Sequence, residues 1–170
     1  MPSPRTILYP TDFSEPSGYL FQLACSLARD QGARLVVLYV AEPPPFITYG
    51  EMEKLLQVPD GYRQELETKL REFRPEDDGV PVDYRVVSGE PVAEILHAAE
   101  EVRCDLIAMG THGRTGPGRV LLGSVAEQVV RRAPCPVLTV KVPAESGRPA
   151  DAPSTVKAVG GEGLVGRTRP

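Results

Sequence analysis

Residues 110 to 124 read GTHGRTGPGRVLLGS: five glycines, two arginines, a histidine and a closing serine, just after the apolar run Leu106-Ile107-Ala108-Met109. Glycine in that number weakens helix and strand alike, and suits a loop whose backbone must approach a partner closely. The spacing is Gly110, two residues, Gly113, nine residues, then Gly123-Ser124. Gly110 and Gly113 let the chain turn off a strand end with N–H groups exposed. Gly123-Ser124 opens a helix whose free N–H groups and dipole favour an anion. Two such backbone patches can grip a polyphosphate, with Arg114 and Arg119 as charge partners. A ligand-free loop competes with that reading, because Ser124-Val125-Ala126-Glu127 also fits a helix capping box.

Neither common phosphate-binding motif is present. GxxxxGK[ST] fails because no lysine lies between Lys69 and Lys141, and GxGxxG fails because Arg119, Val120 and Leu121 follow Gly118. Catalysis finds no support in the loop. His112 has only His97 as a histidine companion, so neither a triad nor a metal set can be built. No lysine or water-orienting acid stands beside the loop of the kind fast phosphoryl transfer uses. No catalytic residue and no metal site are expected.

The loop must be positioned by the elements around it. Ile7-Leu8-Tyr9, stopped at Pro10, reads as a central, doubly buried strand. Leu20, Phe21, Ala24, Cys25, Leu27 and Ala28 recur at helical spacing, with Gly32 as a left-handed cap. Residues 35–40 form a second buried strand, and 41–61 a crossover broken at Pro59 with room for a short helix from Glu51. Tyr62, Leu66, Leu70 and Phe73 line one face of the next helix, with Glu65–Lys69 and Glu67–Arg71 as pairs on its wet side. The alternating run 82–86 belongs at a sheet edge or on a half-exposed face, and Pro91 opens a helix carrying Val92, Ile95, Leu96 and Ala99. Strand 105–109, the glycine loop, a helix over 124–132 and a strand over 136–140 complete the series.

Strands alternating with helices imply an α/β fold: a three-layer, open, twisted sheet of five mainly parallel strands, in order 3-2-1-4-5. Ligands of such Rossmann-like sheets lie beyond the strands' carboxyl ends where the winding reverses. That places Asp12 across a crevice from the glycine loop.

Composition bounds the partners. The chain has 170 residues, 41% hydrophobic and 25% charged, with net charge −4; its pI is near 5.3. It is no general nucleic-acid binder, which needs a broad basic face. No segment approaches the ~18 apolar residues of a membrane span, so a cytoplasmic protein is expected. Cys25, Cys104 and Cys135 are an odd, widely spaced set, which reads as buried free thiols rather than a disulfide framework. Residues 1–142 are expected to form one domain. The Gly/Pro-rich stretch 143–170, without apolar period, reads as a flexible tail.

The sequence resembles the universal stress proteins. The resemblance runs through PTDFSE (10–15), LYV (38–40), DLIAMGTHGRTG (105–116) and LLGSVAEQVVRRAPCPVLTV (121–140), and spans about residues 5 to 142. The ATP-binding members carry G-2x-G-9x-G-[ST], and every fixed position of it is filled here. The resemblance implies an ATP-binding stress-response module, with magnesium accompanying the nucleotide, usually a homodimer, here through the apolar edge 137–140. Gly110, Gly113, Gly123 and Ser124 would contact phosphates, and Asp12 the ribose hydroxyls. Val40 would meet adenine, with Pro10 and Thr11 shaping that wall; Met109, Arg114 and Val125 complete the implied contact set. Slow ATP hydrolysis and a nucleotide-free interaction dimer are the alternatives. A pyrophosphatase branch would show SGGxDS where PTDFSEPSG stands, and Asp12 lacks the adjacent acid of a phosphoacceptor receiver.

Overall fold

The computed structural model describes residues 5–14, 16–42, 60–76, 79–111 and 123–141. The short helix considered near Glu51, the 142/143 boundary and the segment 143–170 lie outside them. Five strands alternate with helices: β1 (Thr6–Thr11), α1 (Pro16–Gln31), β2 (Arg34–Ala41), α2 (Asp60–Leu70), β3 (Val82–Ser88), α3 (Pro91–Glu101), β4 (Leu106–Gly110), α4 (Ser124–Arg132) and β5 (Val137–Val140). The sheet order is β3-β2-β1-β4-β5 and each pairing is parallel.

The period of two along each strand builds two cores from single apolar runs. Ile7, Tyr9, Leu35 and Val37 face α1 and α2, joining Phe21, Ala24, Leu66 and Leu70. Leu8, Val36, Leu38 and Ile107 face α3 and α4, joining Val92, Ile95 and Val129. Ile7, Leu8, Leu35 and Leu38 are fully buried, as strands covered on both faces must be. The edge strands β3 and β5 are only part-buried, which explains the charged alternation of one and the brevity of the other.

Local signals behave as their chemistry dictates, with three departures. Gly32 takes φ +61 after α1, and Pro91 opens α3, whose start is capped by the Glu90 carboxylate accepting from Val92 N and Ala93 N. Tyr62, expected on the buried face of α2, is 50% exposed; it lies in the first turn, while Leu66 and Leu70 deeper in the helix carry the contact. The expected Glu65–Lys69 and Glu67–Arg71 pairs give way to aromatic partners. Lys69 Nζ stands 4.5 Å over the Phe13 ring, and the Arg71 guanidinium 5.6 Å over that of Tyr84. An exposed helix pair is worth only a few tenths of a kcal/mol, roughly, so a ring competes well for the cation. The thiols also depart from expectation. Cys25 and Cys104 are buried, but Cys135 is half-buried and adjacent to Cys104.

Candidate functional site at the carboxyl ends of the strands

β1 and β4 share register only near their starts, Ile7 with Leu106 and Leu8 with Ile107. Past that point α1 packs on one face of the sheet and α4 on the other, and a crevice of about 250 Å³ opens at the carboxyl ends. This is the reversal point of a doubly wound sheet, where backbone groups face a gap rather than a neighbouring strand.

Each wall comes from a different element. β1 contributes Pro10 and Thr11, and Asp12 follows at its end. β2 contributes Val40, and β4 ends in the gap with Met109 and Gly110. The start of α4 closes the far side with Gly123, Ser124 and Val125. Residues drawn from four separated stretches of sequence therefore line one cavity. Gly113 and Arg114, with His112 and Arg119, lie outside the described residues.

Asp12 is held in an Asx turn: its Oδ1 accepts from Ser14 N at 3.0 Å and from Ser17 Oγ at 3.4 Å. The carboxylate thus both shapes the entry to α1 and lines the crevice, so the capping and ligand-facing readings of Asp12 are compatible. Phe13 is the hinge of that turn, with φ +61, a left-handed value costly for a side chain with a Cβ. Its ring lies 4.4 Å from that of Tyr39, and the Lys69 ammonium sits over it. Tyr9 fixes α1 from below by donating its hydroxyl to Ser17 O at 2.7 Å; burial pushes this phenol well above its usual range, so it is neutral at physiological pH.

The start of α4 departs from the capping-box alternative. Gly123 is the N-cap, with φ −67 and ψ 155, and Ser124 is already the first helical residue. Among the described residues no side chain caps this end, and the Glu127 carboxylate instead accepts from Arg131 Nη2 at 2.9 Å. A Ser–Glu box needs serine one position earlier relative to the helix, so the reciprocal bond cannot form. The positive end of the helix dipole lies at the crevice.

Sequence reasoning missed several lining residues. Glu42 and Val140 stand at strand ends and could have been found by extending the same rule to β2 and β5. Ser14 and Ser17 needed the turn geometry, and Ile95 reaches in from α3, which no motif signals. Among the described residues no cluster of three or more His, Cys, Asp or Glu could hold a metal ion, and no helix is long and apolar enough to cross a membrane.

A parallel, doubly wound sheet with a mixed polar and apolar crevice at its winding reversal defines an α/β domain of the Rossmann-like class. This chain belongs to the universal stress protein family, whose family model matches residues 4–141. Universal stress protein MJ0531 of Methanocaldococcus jannaschii is 37% identical over 142 residues, covering 82% of this chain and 83% of that protein. The solved structure of protein MJ0577 from the same organism is similar at a TM-score of 0.69 and 33% identity, over 82% of this chain and 96% of its own. A universal stress protein solved in complex with cAMP is similar at a TM-score of 0.55 and 26% identity, over 82% and 98% of the two chains. Nucleotide binding is thus represented among the structural relatives.

Proposed function

We propose that the crevice binds an adenine nucleotide, ATP with its magnesium, and that the protein is a nucleotide-holding stress-response module. The observation that carries this reading is the start of α4, N-capped by Gly123, which lines one crevice together with Asp12. The free N–H groups following Gly123 suit phosphate oxygens, and the Ser124 hydroxyl adds a donor. Asp12 suits the ribose hydroxyls, which donate to its carboxylate. Val40 and Met109, with Leu38 nearby, offer an apolar slot for the base, whose edge the backbone of Val40 can meet. Gly110, Gly113, Arg114 and Val125 belong to the same proposed contact set, with Pro10 and Thr11 beside the base.

Bound ATP would supply its phosphate charge, with magnesium as its counter-ion. This chain's own groups bind and orient; a backbone cradle that holds ground and transition states alike raises affinity without raising turnover. Homodimerisation through β5 is part of the reading, supported by Leu138 at 38% exposure on the edge strand and Val130 at 46% on adjacent α4. Mass spectrometry of natively purified protein, with calorimetric titration of ATP against the emptied protein, tests it. Co-purified adenine nucleotide and saturable binding are expected; neither appearing overturns the reading.

A further inference from the structure

Cys104 and Cys135 are 31 positions apart in sequence, yet their Sγ atoms lie 3.2 Å apart. Each stands two residues before a strand, Cys104 before β4 and Cys135 before β5. The strand pairing imposes the juxtaposition. Ile107 is in register with Val137, and Ile107 N donates to Pro136 O at 3.0 Å, so the two strand entries run side by side. Both thiols therefore sit at the amino ends of the sheet, away from the crevice at the carboxyl ends. A disulfide needs its sulfurs at about 2.05 Å, an approach of roughly 1.2 Å from where they stand. Cys25, the third thiol, packs among α1 residues in the opposite core.

We propose that Cys104 and Cys135 are an oxidation site, a dithiol that closes to a reversible intramolecular disulfide on exposure to peroxides or low-molecular-weight disulfides. Accessibility sets the order of events: Cys104 is 8% exposed, whereas Cys135 is half-buried and meets the oxidant first. With hydrogen peroxide, the Cys135 sulfur attacks one oxygen, the O–O bond breaks, and the departing hydroxide takes up a proton to leave as water. The Cys135 sulfenic acid is then attacked by the Cys104 sulfur. The S–O bond breaks, the S–S bond forms, and a second water leaves. Two thiols have lost two electrons and two protons, and the peroxide has been reduced to two waters. A dithiol reductant returns the pair by the reverse two-electron exchange.

Burial pushes both thiols above the ordinary cysteine range, with the Asp105 carboxylate acting in the same direction. Thiolate is scarce at neutral pH, so this site responds to sustained oxidant rather than to a brief pulse. Once closed, the bond ties together a segment that contains β4 and α4, two of the elements that wall the crevice. The link is made at the sheet's far end and leaves every described crevice-lining side chain untouched.

The test uses the full chain, treated with hydrogen peroxide or oxidised glutathione and then desalted into acid to stop the exchange. The expected result is a mass loss of about 2 Da, with a peptide joining Cys104 to Cys135 in a non-reducing digest. Tm should rise by roughly 5–10 °C, reversed by dithiothreitol. Cys25→Ser should behave as the parent, while Cys135→Ser and Cys104→Ser should both lose the 2 Da change. Because Cys135 is half-exposed, its serine variant is the one least exposed to a folding defect. The proposal is overturned if oxidation instead yields oxygen adducts on separate cysteines, a persistent glutathione adduct, a link involving Cys25, or disulfide-joined dimers.

Discussion

Gly123 donates its backbone N–H to the carbonyl oxygen of Thr111 at 2.6 Å. These two residues bracket the segment 112–122, and the bond ties the end of β4 to the start of α4 at the mouth of the crevice. Gly110 and Gly123 are thereby brought to one side of the cavity although twelve residues separate them in sequence. Spacing in the glycine-rich stretch becomes a spatial fact through this bond.

Gly123 sits at φ −67, an angle any residue adopts, so a side chain there is tolerated by the backbone. Gly123→Val is predicted to leave the circular dichroism spectrum unchanged and to lower ATP affinity at least tenfold, because a branched Cβ stands where phosphate approaches. Unchanged affinity by calorimetry would remove α4 from the proposed phosphate site. Gly113→Val is expected to lower ATP affinity in the same way.

Asp12 has a structural and a proposed ligand role, and the amide separates them. Asp12→Asn keeps an oxygen to accept from Ser14 N and Ser17 Oγ, so thermal stability should hold. Loss of the charge should weaken ATP binding by ~1–3 kcal/mol and shrink the preference for ATP over its 2′-deoxy analogue. Equal discrimination by variant and parent would place the ribose elsewhere.

Bound ATP is expected to persist. Turnover slower than roughly one per minute is predicted, far below the ~1–10³ per second of typical enzymes. A single-turnover assay with magnesium decides it; clearance of bound ATP within seconds would replace the binding module with an enzyme.

For the dimer, Leu138→Lys should shift the mass measured by light scattering from two chains toward one at micromolar concentration, while removal of residues 143–170 should not. A monomeric parent protein refutes the edge contact.

Alkaline stability supplies a pH test. Burial raises the Cys25 thiol from 9.0 to about 11, with Arg29 opposing and Glu76 reinforcing. A folded-state pKa above the unfolded one stabilises fully below pH 9 and loses that contribution as pH climbs to 11. The parent is predicted to lose roughly 1–2 kcal/mol over this window from Cys25, and Cys25→Ala should show a flatter curve by denaturant titration. Tyr9, raised in the same direction, adds its own loss at still higher pH in both proteins.

Much of the architecture is legible because it rests on short-range patterns. Buried runs such as 35–40 mark strands, Gly32 and Pro91 mark helix boundaries, and alternating helices and strands leave few sheet orders open. The crevice was reached by the same route, since Asp12 and Gly110 are strand-end residues and the end of a strand can be read from its apolar run. What escaped depends on long-range placement. Lys69 leaves Glu65 for a ring fifty-six positions earlier, the capping box that Ser124 and Glu127 also fit does not form, and Cys104 meets Cys135 only through the β4–β5 register.

The short β1–β4 ladder has a consequence for how the chain assembles. β1 reaches β2 across a modest loop, with Arg34 bonding Thr6 only 28 positions away, whereas Asp105 meets the Thr6 N–H across 99. Closing the longer loop costs more chain entropy, and few register pairs reward it. The first βαβ unit is therefore expected to form early and β4 to dock late, so that the crevice is the seam where the two halves of the molecule finally meet. A ligand spanning that seam holds the halves together only after both have folded, which makes it a brake on unfolding rather than a template for folding.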